Sequence, residues 1–239
     1  MKVDGYNNRS LLFSFLKVWY HIIGDFMKIK KRIGAFLLDM FIVMLISVTL
    51  SNLSYLNPYK DKYTEASSTY IDLLDEYDEL IKNTNPKEYI NEVFNFANKK
   101  LVPQLMIIEK YNVFNSLWYL IIFMLYNVLF AYFNDGQTLG KKIFKLRVVK
   151  KDGEKASIWN FLVRSLFNGS TFFFGINLVV IIRILLSILS NKLLFLILFY
   201  GVESLSLILE ISLFVTLFVS KGSRITSDCI AKTKVIDAN

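Results

Sequence analysis

The sequence predicts an all-α integral membrane protein with four transmembrane helices. Hydrophobic residues make up 54% of its 239 residues, and the 20% that are charged are bunched together rather than scattered. This pattern is typical of a membrane protein with polar loops. Four apolar stretches are also long enough to cross a hydrocarbon core about 30 Å thick, which takes about 20 helical residues.

The spans and the segments between them follow from these stretches. The predicted spans are residues 33–54, 112–133, 171–189 and 193–219. Only Ser190 to Lys192 separate the third span from the fourth, so we expect these two to form a tight antiparallel hairpin.

Residues 1–32, which precede the first span, have the pattern of an amphipathic helix. No small-residue cleavage site follows the apolar residues, so a helix lying on the inner leaflet is favoured over a signal peptide. The apolar residues that recur at helical spacing are Leu11, Leu12, Phe15, Leu16, Trp19, Ile22, Ile23 and Phe26.

The distribution of Lys and Arg predicts the orientation, because positive loops are retained in the cytoplasm. Residues 1–32 carry seven Lys and Arg against two acids, and residues 134–168 carry eight against three. Residues 55–111 instead carry seven Lys against ten acids. We therefore expect both termini, the basic loop 134–170 and the tail 220–239 to be cytoplasmic, next to anionic lipid headgroups.

Residues 55–111 form the longest polar segment, and we expect them to be an extracellular helical cap. The run YIDLLDEYDELIKN has helical spacing, and Asn85-Pro86 breaks it before EYINEVFNFANKKLV. Two amphipathic helices are predicted, the second able to continue into the second span. The acidic run in the first helix either gathers cations or, more commonly, forms a solvated face; it comprises Asp72, Asp75, Glu76, Asp78 and Glu79.

The basic loop contains the sharpest motif, GQTLGKK, followed by LRVV and a turn at Asp152-Gly153. The two glycines indicate a short turn, the alternation of LRVV indicates a strand, and we expect the lysines to meet lipid headgroups. A phosphate-binding loop needs further glycines and a Lys-Ser or Lys-Thr pair, which are missing. The motif residues are Gly136, Gln137, Thr138, Gly140 and Lys141.

With these motifs in hand, the chain resembles the RDD family of bacterial membrane proteins. The resemblance lies in the first span and in residues 130–239, and the arginine and two aspartates that name the family map onto Arg32, Asp39 and Asp228. It implies a multi-pass protein of the bacterial cell membrane that transports small ligands, with sodium/proton exchange associated with some members.

Two departures from the family pattern are visible near the C-terminus. The family's His-Asp is Ser227-Asp228 here, and its following Gly-Thr is Lys232-Thr233. Proton handling by that histidine is therefore absent from this chain.

Polar residues within the spans indicate how a cation/proton exchanger would work. Asp39, Glu210 and Asn127 are predicted to lie at similar depth, where their oxygen atoms would hold a small cation or share a proton. An ionised carboxylate on a spanning helix costs roughly 3 kcal/mol, so it needs a partner or a function. Arg183 and Glu203 are expected to form a neutralising ion pair near the hairpin turn.

The same residues also have a structural interpretation. Asp39 would pair with Arg147, Arg164 or Arg224 and so fasten the loop to the first span. Arg32 would reach headgroups or helix-end carbonyls. Asp228 would form an intrahelical pair or a helix cap.

Two functions from different classes therefore remain open. The first is a transporter that uses Asp39 and Glu210 and, with only four spans, needs a homo-oligomer to complete its pathway. The second is a scaffold or accessory subunit that binds a partner membrane protein through the cap or the cytoplasmic loop.

Other classes are disfavoured. The formal charge of +8 lies beside the spans, so we expect no nucleic-acid binding. We expect no enzymatic activity, cofactor or metal, because the sequence offers no nucleophile with a base and no Cys and His cluster around His21 or Cys229.

Overall fold

The computed structural model describes the backbone of residues 7–84, 89–170 and 175–238, with side chains from residue 26 onward except at residue 170. These residues are mostly helical, as predicted, with two small antiparallel sheets in addition. The helices are α1 (Asn7–Ser51), α2 (Lys60–Asn83), α3 (Tyr89–Phe96), α4 (Val102–Tyr111), α5 (Val113–Met124), α6 (Ala131–Phe133), α7 (Leu139–Ile143), α8 (Ile158–Leu166), α9 (Asn177–Leu186), α10 (Lys192–Val219) and α11 (Thr226–Ile230).

Two π-helical segments, Ala97–Leu101 and Leu125–Phe130, join α3 to α4 and α5 to α6. The strands are β1 (Leu146–Lys150), β2 (Gly169–Ser170), β3 (Gly175–Ile176) and β4 (Thr233–Asp237).

Three helical stretches among the described residues are long and apolar enough to cross a membrane: Phe26–Ser51, Val113–Phe133 and Lys192–Val219. They contain 26, 21 and 28 residues, so each reaches about 30 Å or more at about 1.5 Å per residue. They coincide with the first, second and fourth predicted spans, and each is a helix of the predicted length. The first belongs to α1, which is one 45-residue helix that includes most of the predicted amphipathic segment; the apolar face predicted for residues 11–25 lies outside the described side chains.

The third predicted span, residues 171–189, is not confirmed as a full-length helix. Its helix, α9, has ten residues and is about 15 Å long, half of what a straight crossing needs. The hairpin of β2 and β3 precedes α9, with Gly169 paired to Ile176 and φ angles of +129° and +106° at Gly169 and Gly175. These left-handed conformations are incompatible with a continuing α-helix. Residues 171–174 lie outside the described residues.

The chain divides into two compact units. The first contains residues 1–40, 127–164 and 211–239, and the second contains residues 41–126 and 165–210. The arginine and the two aspartates on which the sequence resemblance rests all lie in the first unit.

In the first unit, β1 pairs antiparallel with β4, from Leu146 opposite Asp237 to Lys150 opposite Thr233. The strand predicted for LRVV and the turn predicted after it are confirmed, since Lys150 and Glu154 close that turn with a 2.9 Å backbone hydrogen bond. Val148 on β1 and Val235 on β4 are buried. The C-terminal tail therefore ends in a strand, β4, which pairs with the strand β1 of the basic loop.

In the second unit, α2 packs beside α4. Helices are confirmed in both runs for which they were predicted, residues 70–83 and 88–102: α2 ends at Asn83 and α3 begins at Tyr89. The predicted break at Asn85-Pro86 lies outside the described residues. Gln104 on α4 donates to the carbonyl oxygen of Ala66 on α2 at 2.8 Å. The predicted continuation into the second span is also observed, because only Asn112 separates α4 from α5.

The second unit also contains the predicted ion pair, together with a partner that the sequence did not reveal. Arg183 Nη1 lies 3.5 Å from Glu203 Oε1. Arg183 also forms a bidentate pair with Glu109, through Nη2 to Oε1 and through Nε to Oε2 at 3.3 Å. The side chain of Glu109 is 4% exposed and that of Glu203 is 39% exposed. Glu109 is therefore the principal anion for Arg183.

Replacing Glu109 should destabilise the protein far more than replacing Glu203. Glu109→Ala leaves a half-buried guanidinium without its bidentate partner, and we expect a loss of roughly 3 kcal/mol. Glu203→Ala removes a longer and more exposed contact, and we expect a loss of about 1 kcal/mol or less. Unfolding of the purified variants in detergent measures both values, and equal losses would contradict this ranking.

Candidate functional site

Arg32, Asp39 and Asp228 belong to two clusters of polar residues in the first unit. We call Arg32, Arg164, Asp228 and Thr233 the Asp228 cluster. We call Asp39, Thr138, Gly140 and Lys141 the Asp39 cluster. Both aspartates are buried, at 0% and 3% exposure for Asp228 and Asp39.

In the Asp228 cluster, one carboxylate accepts hydrogen bonds from two arginines. Arg32 Nη2 donates to Asp228 Oδ2 at 2.6 Å, and Arg164 Nε donates to Oδ1 at 2.6 Å. Thr233 Oγ1 donates to Oδ1 at 3.2 Å, and the backbone N–H of Ile225 donates to Oδ2 at 3.0 Å. Every lone-pair direction of this buried anion is therefore used by a donor from α1, α8, β4 or the start of α11.

These contacts decide the protonation state of Asp228. Burial alone would raise its pKa, but the adjacent guanidinium groups of Arg164 and Arg32 outweigh that effect and hold the pKa of Asp228 well below its usual range. The carboxylate therefore stays ionised at physiological pH. The ionised carboxylate of Asp228 stabilises the packing of α1, α8, β4 and α11 and does not exchange protons at physiological pH.

The structure confirms part of the structural interpretation of Arg32 and Asp228 and corrects the rest. Asp228 is a helix cap, as predicted, because it accepts the N–H of Ile225 at the start of α11. Its ion partners, however, are Arg32 and Arg164, whereas Arg224 donates from Nε to the carbonyl oxygen of Thr233 at 3.3 Å. The headgroup contact predicted for Arg32 is wrong, because Arg32 is buried; its second contact is the carbonyl oxygen of Gly222 at 3.3 Å.

In the Asp39 cluster, the carboxylate holds the start of α7. Thr138 Oγ1 donates to Asp39 Oδ2 at 2.5 Å, and the backbone N–H of Gly140 donates to Oδ1 at 2.8 Å. Lys141 Nζ lies 3.1 Å from Asp39 Oδ2 and donates to Thr138 Oγ1 at 2.9 Å. The ammonium group is thus bound between a carboxylate oxygen and a hydroxyl oxygen.

The GQTLGKK motif places these groups because of its backbone. Thr138 is the N-cap of α7 and accepts the N–H of Lys141 at 3.5 Å. A Cβ on Gly140 would lie 2.4 Å from the carbonyl oxygen of Ala35 and 2.7 Å from Asp39 Oδ1. Only glycine therefore allows α7 to approach α1 closely enough for its N–H to reach Asp39.

The beginning of the motif is fixed by β1. Gly136 has a φ of +83°, and a Cβ there would lie 2.3 Å from the carbonyl oxygen of Val148. Gln137 Nε2 donates to the carbonyl oxygen of Leu146 at 2.9 Å. The motif is therefore a turn that runs closely along β1 and leads into the Asp39 cluster.

Two expectations about this region are wrong. Lys141 does not point to headgroups; it is 9% exposed and contacts Asp39. The cation beside Asp39 is this lysine, where the sequence had suggested Arg147, Arg164 or Arg224. Burial lowers the pKa of Lys141, the charge of Asp39 opposes this effect, and the pKa remains below its ordinary value. Lys141 can therefore release its proton more readily than a lysine in water.

The other two predicted transport residues occupy different places. Asn127 lies in the first unit, in the π-helical segment Leu125–Phe130, where it is buried and its Nδ2 has no hydrogen-bond acceptor among the described residues. Glu210 lies on α10 in the second unit and is half-buried. The predicted grouping of Asp39, Asn127 and Glu210 stays a prediction.

Within residues 26–84, 89–169 and 175–238, no three or more His, Cys, Asp or Glu side chains lie close enough together to hold a metal ion. Cys229 is exposed and its thiol is free. The roles of Arg164 and Thr233 were not predicted from the sequence. Arg164 is 64 residues from Asp228 in the chain, and Thr233 lies on β4, a strand that the sequence did not predict. The one available signal was the positive charge of Arg164 in the otherwise apolar WNFLVRSL run of α8.

Comparison with known proteins gives one family. The sequence model of the RDD family matches residues 27–232, which is most of the chain and includes both clusters except Thr233. No curated protein and no solved structure matches the chain.

Asp228→Asn should destabilise the protein strongly at neutral pH. It leaves Arg32 and Arg164 buried without an anion, which costs roughly 3 kcal/mol or more. The pKa of Asp228 is lower in the folded chain than in the unfolded chain, where it is about 3.9. The stability contributed by the carboxylate is therefore fully present above about pH 4 and is lost as the pH falls through the folded-state pKa.

Unfolding of wild type and Asp228→Asn in detergent between pH 3 and pH 8 measures this effect. The difference between the two proteins should be constant above about pH 4 and should shrink below it. Asp135→Asn is the matched control, because Asp135 and its ion partner Lys155 are both exposed and a surface ion pair should change stability little at any pH. A difference that grows on acidification would refute the assignment.

Gly140→Ala and Gly201→Ala should have opposite effects. Both glycines are helical, but a Cβ on Gly140 meets Ala35 and Asp39, whereas nothing lies within 4 Å of a Cβ on Gly201. We expect Gly140→Ala to cost about 1–3 kcal/mol through overpacking. Gly201→Ala should be neutral or stabilising by up to about 1 kcal/mol. Thermal unfolding compares them, and a harmless Gly140→Ala would show that α7 does not need this close approach.

Proposed function

Since the chain belongs to the RDD family, we propose that it is a membrane protein that exchanges a small monovalent cation for a proton at the Asp39 cluster. The observation that carries the proposal is the position of the Lys141 ammonium group, 3.1 Å from Asp39 Oδ2 and 2.9 Å from Thr138 Oγ1. A buried carboxylate and a hydroxyl are oxygen ligands of the kind that bind small hard cations. The ammonium group occupies the place of such a cation.

The exchange follows from charge balance. When Lys141 releases a proton, its amine becomes neutral and the buried carboxylate of Asp39 loses the positive charge of Lys141, which is costly. A cation that enters at the carboxylate restores neutrality, so one proton leaves for each cation that binds. The lowered pKa of Lys141 supports this step, because it reduces the free energy needed to remove the proton.

The membrane location of Asp39 also supports a functional role. Asp39 belongs to the apolar stretch Phe26–Ser51, where a carboxylate costs roughly 3 kcal/mol without a partner. If position 39 only had to pack against apolar neighbours, a hydrophobic residue would do so without this cost. Asp228, in contrast, is held by two arginines that do not lose their protons, and we assign it a purely structural role.

For the topology, we propose four crossings with both termini in the cytoplasm of a bacterial cell. Within the second unit, Tyr119 donates to the carbonyl oxygen of Gly175 at 3.2 Å and Arg183 pairs with Glu109. Residues 175–183 therefore run antiparallel to residues 109–119. This direction supports a third crossing made by a broken segment, the β2–β3 hairpin followed by α9, as discontinuous helices do in other transporters.

Asn127, in the same unit as Asp39, remains a candidate for the rest of the cation route. Asn127 is buried in a π-helical segment with a free amide donor among the described contacts, and such segments are frequent at functional sites. Four crossings provide few helices to line a cation pathway, so we propose that the functional form is a homo-oligomer.

Lys141→Arg tests the exchange directly. Arginine keeps the positive charge beside Asp39 but does not release its proton, so the fold should survive while exchange falls at least about tenfold. The purified protein is reconstituted in liposomes, a sodium or potassium gradient is imposed, and a trapped dye follows internal pH. Asp39→Asn should also abolish exchange, and Lys142→Arg, at the exposed neighbouring position, should retain it.

Thermal unfolding of each variant verifies that loss of exchange is not loss of fold. Wild-type traces that match those of protein-free liposomes would reject the exchanger for these ions. Undiminished exchange by a folded Lys141→Arg would reject Lys141 as the proton-carrying group.

A second candidate, a non-transporting scaffold or accessory subunit, is favoured by one observation. Apolar side chains on α2 and α3 of the predicted extracellular cap are exposed, and they include Ile71, Ile90 and Phe94. Exposed apolar side chains that cluster are typical of protein interaction sites. The same liposomes separate the two functions, because a scaffold gives no ion-dependent change of internal pH.

A further inference from the structure

A basic groove lies on the first unit, where the end of β1 meets the segment around α11. Its volume is about 660 Å³, enough for a small polar molecule. Four cations line it, namely Lys150, Lys151, Arg224 and Lys232, against one acid, Asp152. We call it the basic groove.

The cations of this groove are only partly neutralised. Lys150 Nζ lies 3.2 Å from a carboxylate oxygen of Glu154, which accounts for one positive charge. Asp152 Oδ1 accepts the backbone N–H of Glu154 at 3.0 Å. Lys151, Arg224 and Lys232 form no salt bridge with any described carboxylate. The groove therefore carries an excess of positive charge.

The backbone holds two of these cations together. The N–H of Lys151 donates to the carbonyl oxygen of Lys232 at 3.0 Å, just beyond the last residue pair of the β1–β4 ribbon. Like charges on facing residues of paired strands repel each other. An anion bound between the lysines would remove this repulsion.

Lys232 lines the groove immediately after the end of α11. Its φ is +54°, the left-handed conformation in which helices commonly end and which glycine adopts with less strain than lysine. Lys145 and Lys221 have the same conformation after α7 and α10, so it marks a helix end and is not itself evidence for a ligand.

Arg224 provides directional donors. Its Nε donates to the carbonyl oxygen of Thr233 at 3.3 Å, which orients the guanidinium plane. No described residue accepts a hydrogen bond from its two Nη groups. A guanidinium group held in this way suits the oxygen atoms of a phosphate group.

The groove lies close to the end of a membrane-spanning helix. Arg224 follows the end of α10, Val219, by five residues. A Cβ on the intervening Gly222 would lie 3.0 Å from the backbone nitrogen of Ile29, at the beginning of the stretch Phe26–Ser51. In the proposed topology the ends of these two stretches lie at the cytoplasmic membrane surface, which places the groove at the level of lipid headgroups.

We propose that the basic groove binds the phosphate group of an anionic ligand, with Lys151, Arg224 and Lys232 as its charged contacts. Its position beside the ends of two spanning helices favours the headgroup of an anionic phospholipid as the source of that phosphate. A soluble phosphate compound has the same chemistry, and the experiment below separates the two sources. This site is distinct from the Asp39 cluster and does not depend on the exchange function.

The test measures binding to the full-length protein in a neutral detergent by titration calorimetry. The ligands are short-chain phosphatidylglycerol, short-chain phosphatidylcholine and inorganic pyrophosphate. We expect phosphatidylglycerol to bind more tightly than phosphatidylcholine, whose phosphate is neutralised by its own choline group. Lys151→Gln and Lys232→Gly should each weaken phosphatidylglycerol binding about fivefold, since a surface cation contributes about that factor.

Two variants serve as controls. Lys232→Gly should retain or raise the thermal midpoint, because glycine relaxes the left-handed backbone, so weaker binding by this variant does not come from unfolding. Lys142→Gln removes an exposed lysine of the same unit outside the groove and should leave binding unchanged.

Each outcome is decisive. Groove-dependent binding of phosphatidylglycerol alone supports the lipid source, and groove-dependent binding of pyrophosphate of equal or greater strength supports the phosphate site with a soluble source. An equal loss of binding in Lys142→Gln would show general attraction between charges and overturn the proposal. Failure of both anionic ligands to bind would overturn it as well.

Discussion

The first unit depends on one buried carboxylate that is shared by two arginines. Asp228 accepts hydrogen bonds at 2.6 Å from Arg32 on α1 and from Arg164 on α8, and its own position is in the first turn of α11. Removing two guanidinium groups from water is costly, and only an anion with good geometry and all its lone pairs used offsets that cost. Elements that are 196 and 64 residues from Asp228 in the chain are therefore held to a single arrangement.

The two aspartates of the unit differ because of the cations that face them. Arginine stays protonated in proteins, so the pair of arginines at Asp228 leaves no proton to exchange. Burial lowers the pKa of Lys141 beside Asp39, so this lysine releases its proton more readily than a lysine in water. Because its cation is a lysine, Asp39 suits the proposed exchange. Because its cations are arginines, Asp228 stabilises the fold. The family name gives both aspartates equal weight, whereas their surroundings give them different chemistry.

Glycine is the second constraint on the site. The carboxylate of Asp39 is reached by a backbone N–H from α7 only because Gly140 has no Cβ to meet Ala35. Gly136 likewise allows the preceding turn to contact β1. In the second unit, Gly169 and Gly175 form the short hairpin that replaces the start of a long third helix. At Gly136, Gly140 and Gly169 the missing Cβ permits a close approach of two backbone segments.

The sequence by itself determined the membrane-protein class, three helices long and apolar enough to cross a membrane, the helical segment before the second of them along the chain, the strand of the LRVV run and the family. These features are local: a run of apolar residues, a hydrophobic period or a short motif carries the information. It also identified Arg32, Asp39 and Asp228 as the residues to explain.

Only the tertiary structure decided which charges meet. Arg164, Lys141 and Glu109 were visible in the sequence as charges, but any of several cations or acids would have satisfied the same pattern. The length of α9 was also decided there, because an apolar run of suitable length does not report the glycine conformations that interrupt it. Ion pairing between distant residues depends on how elements pack, and a linear pattern of residue types carries no record of that packing.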